Sequence, residues 1–280
     1  MKTRNGSFPG ARSLDTYYQY WQPDTQPRAV ILLVHGAGEH CARYQHLAQY
    51  LTEHNYAVAG LDHTGHGRSA GTPGFIECFE DYLETLDIYH QRLTVDFSGV
   101  AQILLGHSMG GLISSYYLLQ HQQDFLGCIL SGPAIKTDIE PGAVQMFIIR
   151  FLSKVLPKTG VLQLDANGVS RDPAVVDNYV NDPLVFHGKM TARKVSELFK
   201  AMNIVQSKAP QITLPMLLLH GGDDAMAAAE GSRFLYEHIS SSDKTLKIYP
   251  GLYHEIFNEP EQREIFAEVL AWCNQRTTAI

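Results

Sequence analysis

Short runs of β-branched and aliphatic residues alternate along the chain with longer stretches whose apolar positions recur at helical spacing. That rhythm predicts a mostly parallel central sheet with helices on both faces. Ala29-Val30-Ile31-Leu32-Leu33-Val34 is the first clear buried strand and ends in His35-Gly36. An amphipathic helix over about 44–54 leads to a strand from Tyr56 to Leu61 and then to the loop Asp62-His63-Thr64-Gly65-His66-Gly67-Arg68-Ser69. Helix returns over about 79–96. Gln102 to Gly106 reads as a strand running straight into His107-Ser108-Met109-Gly110-Gly111, with helix from Leu112 to Gln120 and another strand from Gly127 to Ser131. From Pro133 to about Pro210 the rhythm changes to helix-like segments punctuated by Pro141-Gly142, Pro157, Asp172-Pro173 and Asp182-Pro183. A stretch of that length between two sheet strands reads as an inserted cap rather than a loop. Residues 1–132 and 211–280 are therefore expected to form one core, and 133–210 a helical cap. The sheet resumes with Met216 to His220 and Thr245 to Tyr249, and a helix over about 259–275 closes the chain.

Composition narrows the field. With 45% hydrophobic residues, 18% charged and no low-complexity tract, the 280-residue chain is a folded, soluble one, neither disordered nor coiled-coil. Lys plus Arg number 22 against 29 Asp plus Glu, a net charge of −7 with no basic run, so a nucleic-acid partner is not expected. Cys41, Cys78, Cys128 and Cys273 lie far apart and form no CxxC pair. They read as reduced thiols, not as a zinc site or a disulfide framework. The N-terminus lacks the apolar run of a signal peptide, and no apolar stretch reaches membrane-span length, so a cytoplasmic location is expected.

The strongest chemical signal is Gly106-His107-Ser108-Met109-Gly110, a G-x-S-x-G pentapeptide where a strand hands over to a helix. Glycines on either side permit a tight, strained turn that lifts the serine hydroxyl above the sheet. The following helix brings its positive end to the place where a negative oxygen would develop. A hydroxyl needs a base, and the base needs a carboxylate to orient it. Both lie downstream in loops after later strands: His220-Gly221-Gly222-Asp223-Asp224, then Gly251-Leu252-Tyr253-His254. Ser108, Asp224 and His254 are the predicted catalytic residues, with Asp223 as the competing acid. Backbone N–H groups of Ala37, in the loop after the first buried strand, and of Met109 are the predicted oxyanion donors. Gly36-Ala37-Gly38 does not read as a dinucleotide turn, because the third glycine of G-x-G-x-x-G would fall at Cys41. Among thirteen histidines, His35/His40 and His63/His66 are the tempting metal pairs, yet neither sits on a metal template such as H-E-x-x-H. No metal and no cofactor are expected. His63, His66 and Arg68 are expected to hydrogen-bond within their loop; His46, His54, His90, His121 and His238 fall in helices that read as surface ones.

With these pieces in hand the chain resembles the monoacylglycerol lipase and lysophospholipase branch of the α/β-hydrolases over nearly its whole length. The resemblance rests on His35-Gly36-Ala37-Gly38-Glu39-His40 with Arg43-Tyr44, the Asp62 to Ser69 loop, Gly106 to Gly111, Asn181-Asp182-Pro183-Leu184-Val185, and Lys244 to Tyr249 leading to His254. It implies an α/β-hydrolase fold and a cofactor-independent serine ester hydrolase acting on single-chain acyl lipids, foremost monoacylglycerols. Lysophospholipids, short-chain esters, thioesters or acyl transfer are the alternatives with the same triad, and an idle hydrolase-fold ligand receptor is the alternative without it. The resemblance further places Glu39, Arg43 and Tyr179 at the head-group end of the site. Spacing alone also allows Glu39 and Arg43 to be an i, i+4 ion pair at a helix start.

The segment Pro141 to Pro157 is apolar almost all round, with Arg150 and Lys154 as its only charges. Such a helix is either buried, inside the cap or in a homodimer, or forms a lid that lines an acyl channel and touches a membrane or micelle. The family resemblance favours the lid, and with it a peripheral association with membranes.

Overall fold

The computed structural model describes residues 1–137 and 142–277. Ten strands, β1 (Lys2–Pro9), β2 (Asp15–Gln22), β3 (Val30–Val34), β4 (Ala57–Leu61), β5 (Gln102–His107), β6 (Cys128–Ser131), β7 (Gly160–Leu162), β8 (Met190–Thr191), β9 (Met216–Gly221) and β10 (Lys244–Tyr249), are found among them. The helices are α1 (Gln45–Glu53), α2 (Glu80–Asp96), α3 (Met109–His121), α4 (Ala143–Val155), α5 (Pro173–Asn181), α6 (Ala192–Lys208), α7 (Ala229–His238) and α8 (Gln262–Thr277). Pro141, where the apolar segment 141–157 is expected to begin, lies outside the described residues.

Eight strands form one sheet in the order β1-β2-β4-β3-β5-β6-β9-β10. β1 and β2 pair antiparallel, as do β2 and β4, and every pairing from β4 onward is parallel. Successive side chains of a strand point to opposite faces. Val30, Leu32 and Val34 therefore pack with Leu86, Leu112, Leu198 and Leu235 of α2, α3, α6 and α7 on one face, while Ile31 and Leu33 meet Leu47, Leu51, Phe266 and Val269 of α1 and α8 on the other. Covering both faces is why the central strands read as unbroken apolar runs rather than alternating ones. The register sets Val34 beside Gly106, His107 beside Ser131, and Ser131 beside Leu219. All the parallel strands thus end together, and the loops that leave β3, β5, β6, β9 and β10 crowd one edge, where ligand sites of such sheets lie.

The N-terminal hairpin β1–β2 extends the sheet ahead of the first strand the apolar pattern announces, and α7 lies between β9 and β10. His90, expected at the surface, is buried, its Nδ1 2.9 Å from the Tyr117 hydroxyl oxygen. All four cysteines are free thiols; Cys41, Cys128 and Cys273 are buried.

Between β6 and β9 the chain builds α4, α5, the two-stranded β7–β8 ribbon and α6. Asp172 caps α5, accepting from Ala174 N–H at 2.9 Å, with Pro173 at the first position. α4 is not buried all round. Val144, Phe147, Ile148, Phe151 and Val155 face solvent, with Phe147 70% exposed. Arg193 at the start of α6 ties down the other end of α4 by donating from Nε and Nη2 to the Ser153 carbonyl at 3.0 and 2.9 Å. Among the described residues no helix is long and apolar enough to cross a membrane.

Candidate active site

Ser108 occupies the sharp turn between β5 and α3 with φ 55° and ψ −120°. A residue with a side chain is strained there, and its neighbours hold it in place. Its N–H donates to the Ser131 carbonyl at 3.0 Å, and its own carbonyl accepts from Leu112 and Ala134 N–H at 3.2 and 3.0 Å. The turn can press this close to β3 because Gly110 has no Cβ, which would strike the Val34 and His35 carbonyls. α3 begins at Met109 rather than at Leu112, immediately after the serine. Met109 N–H is consequently one of the helix donors with no partner inside the helix, at the positive end of the dipole.

Asp224 and His254 stand in the loops after β9 and β10. His254 Nδ1 donates to Asp224 Oδ2 at 2.6 Å. Asp224 Oδ1 accepts from Met226 and Ala227 N–H at 2.8 and 3.0 Å, and His220 Nε2 lies 3.1 Å from Oδ2. Asp223, the competing acid, is exposed, and its N–H closes the loop onto the Leu252 carbonyl at 3.0 Å. The pair comes down on the serine's own support. A Cβ on Gly132, next to the Ser131 that holds Ser108, would lie 3.3 Å from His254 Nδ1 and 3.4 Å from Asp224 Oδ2. The rings of His107 and His254 are 4.7 Å apart.

Electrostatics match that geometry. Burial alone would lower the basicity of His254, but the Asp224 charge and hydrogen bond, then the Glu255 and Glu39 charges, raise its pKa above the ordinary imidazole value. Burial would raise the pKa of Asp224, yet the His254 charge and the bonds from His220, His254 and Ala227 hold it well below the carboxylate range. His107 is pushed down to about 4 by burial and by the His254 charge. It stays neutral beside a histidine able to accept a proton.

Ala37 sits in a turn fastened on both sides. Gly36 N–H donates to Glu39 Oε1 at 2.6 Å, and the Gly38 carbonyl accepts from Phe186 N–H, between α5 and β8, at 2.8 Å. Gly38 has φ 81°, and a Cβ there would crowd the Phe186 carbonyl at 3.2 Å. Glu39 and Arg43 do form the i, i+4 pair, at 2.8 Å, but it is buried and larger than a helix-start pair. Arg43 also binds Glu255 through two nitrogens at 2.6 and 2.7 Å, and its guanidinium lies 4.7 Å from the centre of the Tyr179 ring. Tyr44 O–H donates to Glu39 Oε1 at 2.7 Å. Burial works against ionising Glu39, but the Arg43 charge and the Tyr44 hydrogen bond bring its pKa down to about 2. Glu39, Arg43 and Tyr179 are thus brought together, with Glu255 as a fourth member.

The segment between β6 and β9 is bonded to two of the loops that build the site, those after β3 and β10. His40 Nε2 meets Asp182 Oδ2 at 2.9 Å, Phe186 N–H holds Gly38 as above, and His254 and Glu255 N–H donate to the Gly168 and Val169 carbonyls at 3.3 and 2.8 Å. The Asp62 loop is tied within itself and to the segment after β3: Asp62 accepts from Arg68 N–H and from Cys41 N–H at 2.9 Å each, and His66 Nδ1 meets the Thr64 carbonyl at 2.9 Å. His63 departs from the expected role, since both of its ring nitrogens are buried without a hydrogen-bond partner.

Two buried charged residues at the site escape sequence reasoning. The only signal for Glu255 is its place directly after His254, and Lys194, buried against His66, has none. Among the described residues no group of three or more His, Cys, Asp or Glu side chains is arranged to hold a metal ion.

The family described as Serine aminopeptidase, S33 matches residues 25–261. A monoacylglycerol lipase of Mycolicibacterium smegmatis is 38% identical over 266 residues, 95% of both chains, and human monoglyceride lipase is 34% identical over 264 residues, 93% of this chain and 87% of that one. The crystal structure of Paleococcus ferrophilus monoacylglycerol lipase superposes with a TM-score of 0.82 at 29% identity, over 99% of this chain and 100% of that one. With the serine elbow on a mostly parallel sheet and these relatives along almost its full length, the chain belongs to the monoacylglycerol lipase branch of the α/β-hydrolase superfamily.

Proposed function

We propose that this chain is a serine ester hydrolase that cleaves monoacylglycerol to glycerol and a fatty acid through an acyl-enzyme on Ser108. The observation that carries the chemistry is the His254–Asp224 bond of 2.6 Å, set on the same support as a serine held at φ 55°. The substrate class rests on the relatives, which are named as lipases of monoacylglycerols.

Ser108 Oγ attacks the ester carbonyl as its proton passes to His254 Nε2, and Asp224 keeps the imidazole in the tautomer that leaves Nε2 free. Ala37 and Met109 N–H groups donate to the oxyanion, fixed in place before the reaction begins. The tetrahedral intermediate collapses by breaking the bond to the glycerol oxygen, which takes the proton from His254. Water then repeats the sequence on the acyl-enzyme and releases the fatty acid. Glu39, Arg43 and Tyr179 border the glycerol end, Arg43 fixed by two carboxylates so that it positions Tyr179 rather than moving with the substrate.

In this reading the cap spans 133–191, short of the expected 210. α6 supports that boundary, since its Val195, Leu198 and Val205 belong to the main apolar core beneath the sheet. The exposed apolar face of α4 meets a membrane or micelle from the cytoplasmic side, with Arg150 and Lys154 at the head-group level.

The test is release of glycerol from monooleoylglycerol beside release of fatty acid from a lysophosphatidylcholine of equal chain length, with Ser108→Ala as blank. Serine-dependent turnover of the neutral lipid is the expected result. Turnover of the lysophospholipid alone changes the substrate, and turnover that survives in Ser108→Ala removes the mechanism.

A further inference from the structure

A cavity of about 360 Å³ opens beneath the cap at a rim that includes Gln163 and Asp165 and is bounded inside by Gly38, Tyr179, Met190 and Lys194. These four inner residues are buried, and Lys194 is only 1% exposed. It is the one lysine or arginine among the residues lining this space. Lysine is almost never fully buried unless paired. Here its hydrogen-bond partner is not a carboxylate but a histidine, with Nζ 3.1 Å from His66 Nε2. His66 Nδ1 faces the Thr64 carbonyl and so carries the ring proton, which leaves Nε2 to accept from Lys194.

One donated bond leaves further N–H groups on Nζ beside a space that Lys194 shares with Tyr179, Phe186, His187 and Met190 and, at the rim, with Gln163 and Asp165. Lys194 is also the third residue of α6, where the helix dipole disfavours positive charge. Burial pushes its pKa down to about 7. Close to neutrality the amine is therefore only partly protonated, and it can donate a hydrogen bond in either state. The Glu39, Arg43 and Glu255 cluster around Tyr179 sets two carboxylates against one guanidinium, which disfavours an anion nearby. An uncharged oxygen is the complementary group.

We infer that Lys194 is a specificity-determining residue whose Nζ donates a hydrogen bond to a hydroxyl oxygen of the ester that fills this cavity. The inference rests on the ester-hydrolase reading above and adds the group that the cavity recognises. Gly38, which lines the cavity, directly follows Ala37, the proposed oxyanion donor. The hydroxyl can come from the alcohol half of the ester or from an oxygenated acyl chain.

Two substrate pairs separate those sources: glyceryl octanoate against propyl octanoate, and a hydroxyoctanoate against octanoate of the same alcohol. kcat/KM is measured for all four with the wild type and with Lys194→Met, which removes the amine and keeps the length of the side chain. The wild type should prefer the hydroxylated member of one pair, and Lys194→Met should lower that preference about tenfold, the size expected when one buried hydrogen bond is lost. The pair that responds identifies the half of the ester involved. Equal turnover within both pairs by the wild type overturns the inference without need of a variant. So does a preference that survives in a folded Lys194→Met protein, with folding checked by its melting temperature. If none of the four esters is turned over and a fluorophosphonate does not label Ser108, it is the ester-hydrolase reading that falls.

Discussion

Arg43 holds Glu255 with two guanidinium nitrogens, at 2.6 and 2.7 Å, one residue beyond the imidazole that bonds Asp224. The pair is buried, so its charges act on His254 with little screening by water.

Glu255→Gln should therefore change how the enzyme responds to pH. Glu255 is among the charges that raise the His254 pKa, and its loss also leaves Arg43 with a single carboxylate. Both effects disfavour the imidazolium. His254 must be neutral to act as base, so the acid limb of the kcat/KM profile moves to lower pH. A profile on an uncharged ester from about pH 5 to about pH 9 reads the shift directly. A limb that stays put, or moves up, contradicts this account.

Asp224→Asn and Asp223→Asn form an internal control. The first should cost about four orders of magnitude in kcat, because an amide in place of the carboxylate favours the wrong imidazole tautomer. The second alters an exposed side chain and should leave kcat within about twofold. Steady-state rates on one ester decide it, and equal losses in the two variants would count against Asp224.

Ser108→Gly separates the strain of the turn from its chemistry. Both Ser108→Ala and Ser108→Gly should abolish the acyl-enzyme, but only glycine relaxes at φ 55°. The glycine variant should be the more stable of the two by about 1 kcal/mol, the scale of a left-handed residue's penalty. Denaturant midpoints of the two inactive proteins make the comparison, and an alanine variant as stable as the glycine one speaks against strain.

The outer face of α4 predicts a change in lipid binding without a change in chemistry. Phe147→Ser together with Phe151→Ser removes two rings that are 70% and 56% exposed. Partitioning to phosphatidylcholine vesicles should fall at least about tenfold, given the area withdrawn from lipid, while hydrolysis of a short water-soluble ester stays unchanged. Vesicle co-sedimentation tests the first and a chromogenic assay the second. Unaltered sedimentation would remove α4 from the contact.

Much of this molecule is legible in its sequence wherever a local pattern carries the physics. β3, β5 and β9 are buried on both faces, so their apolar runs announce them, and the Gly-x-Ser-x-Gly turn announces the elbow. The hairpin β1–β2 is harder to see because it lies at the sheet edge. β1 is largely exposed, and β2 packs tyrosines and tryptophan between polar residues. The Arg43–Glu255 pair joins positions 212 residues apart, and Lys194 meets His66 across 128. No local rule distinguishes such a glutamate or lysine from a solvated one. α4 shows the converse limit: its composition reveals a helix apolar nearly all round, but the side left open depends on where α6 packs.

Ser108 can occupy its turn only when distant parts of the chain have come together, since Ser131 supplies the acceptor for its N–H and Val34 the carbonyl against which Gly110 closes. Strands β3, β5 and β6 must be side by side before the hydroxyl is presented at all. Reactivity at this one atom is consequently a census of correctly wound molecules. During refolding from denaturant, the fraction captured by a serine-directed probe should count the chains that have assembled the middle of the sheet and brought the β9 and β10 loops to it, whatever their helix content by then.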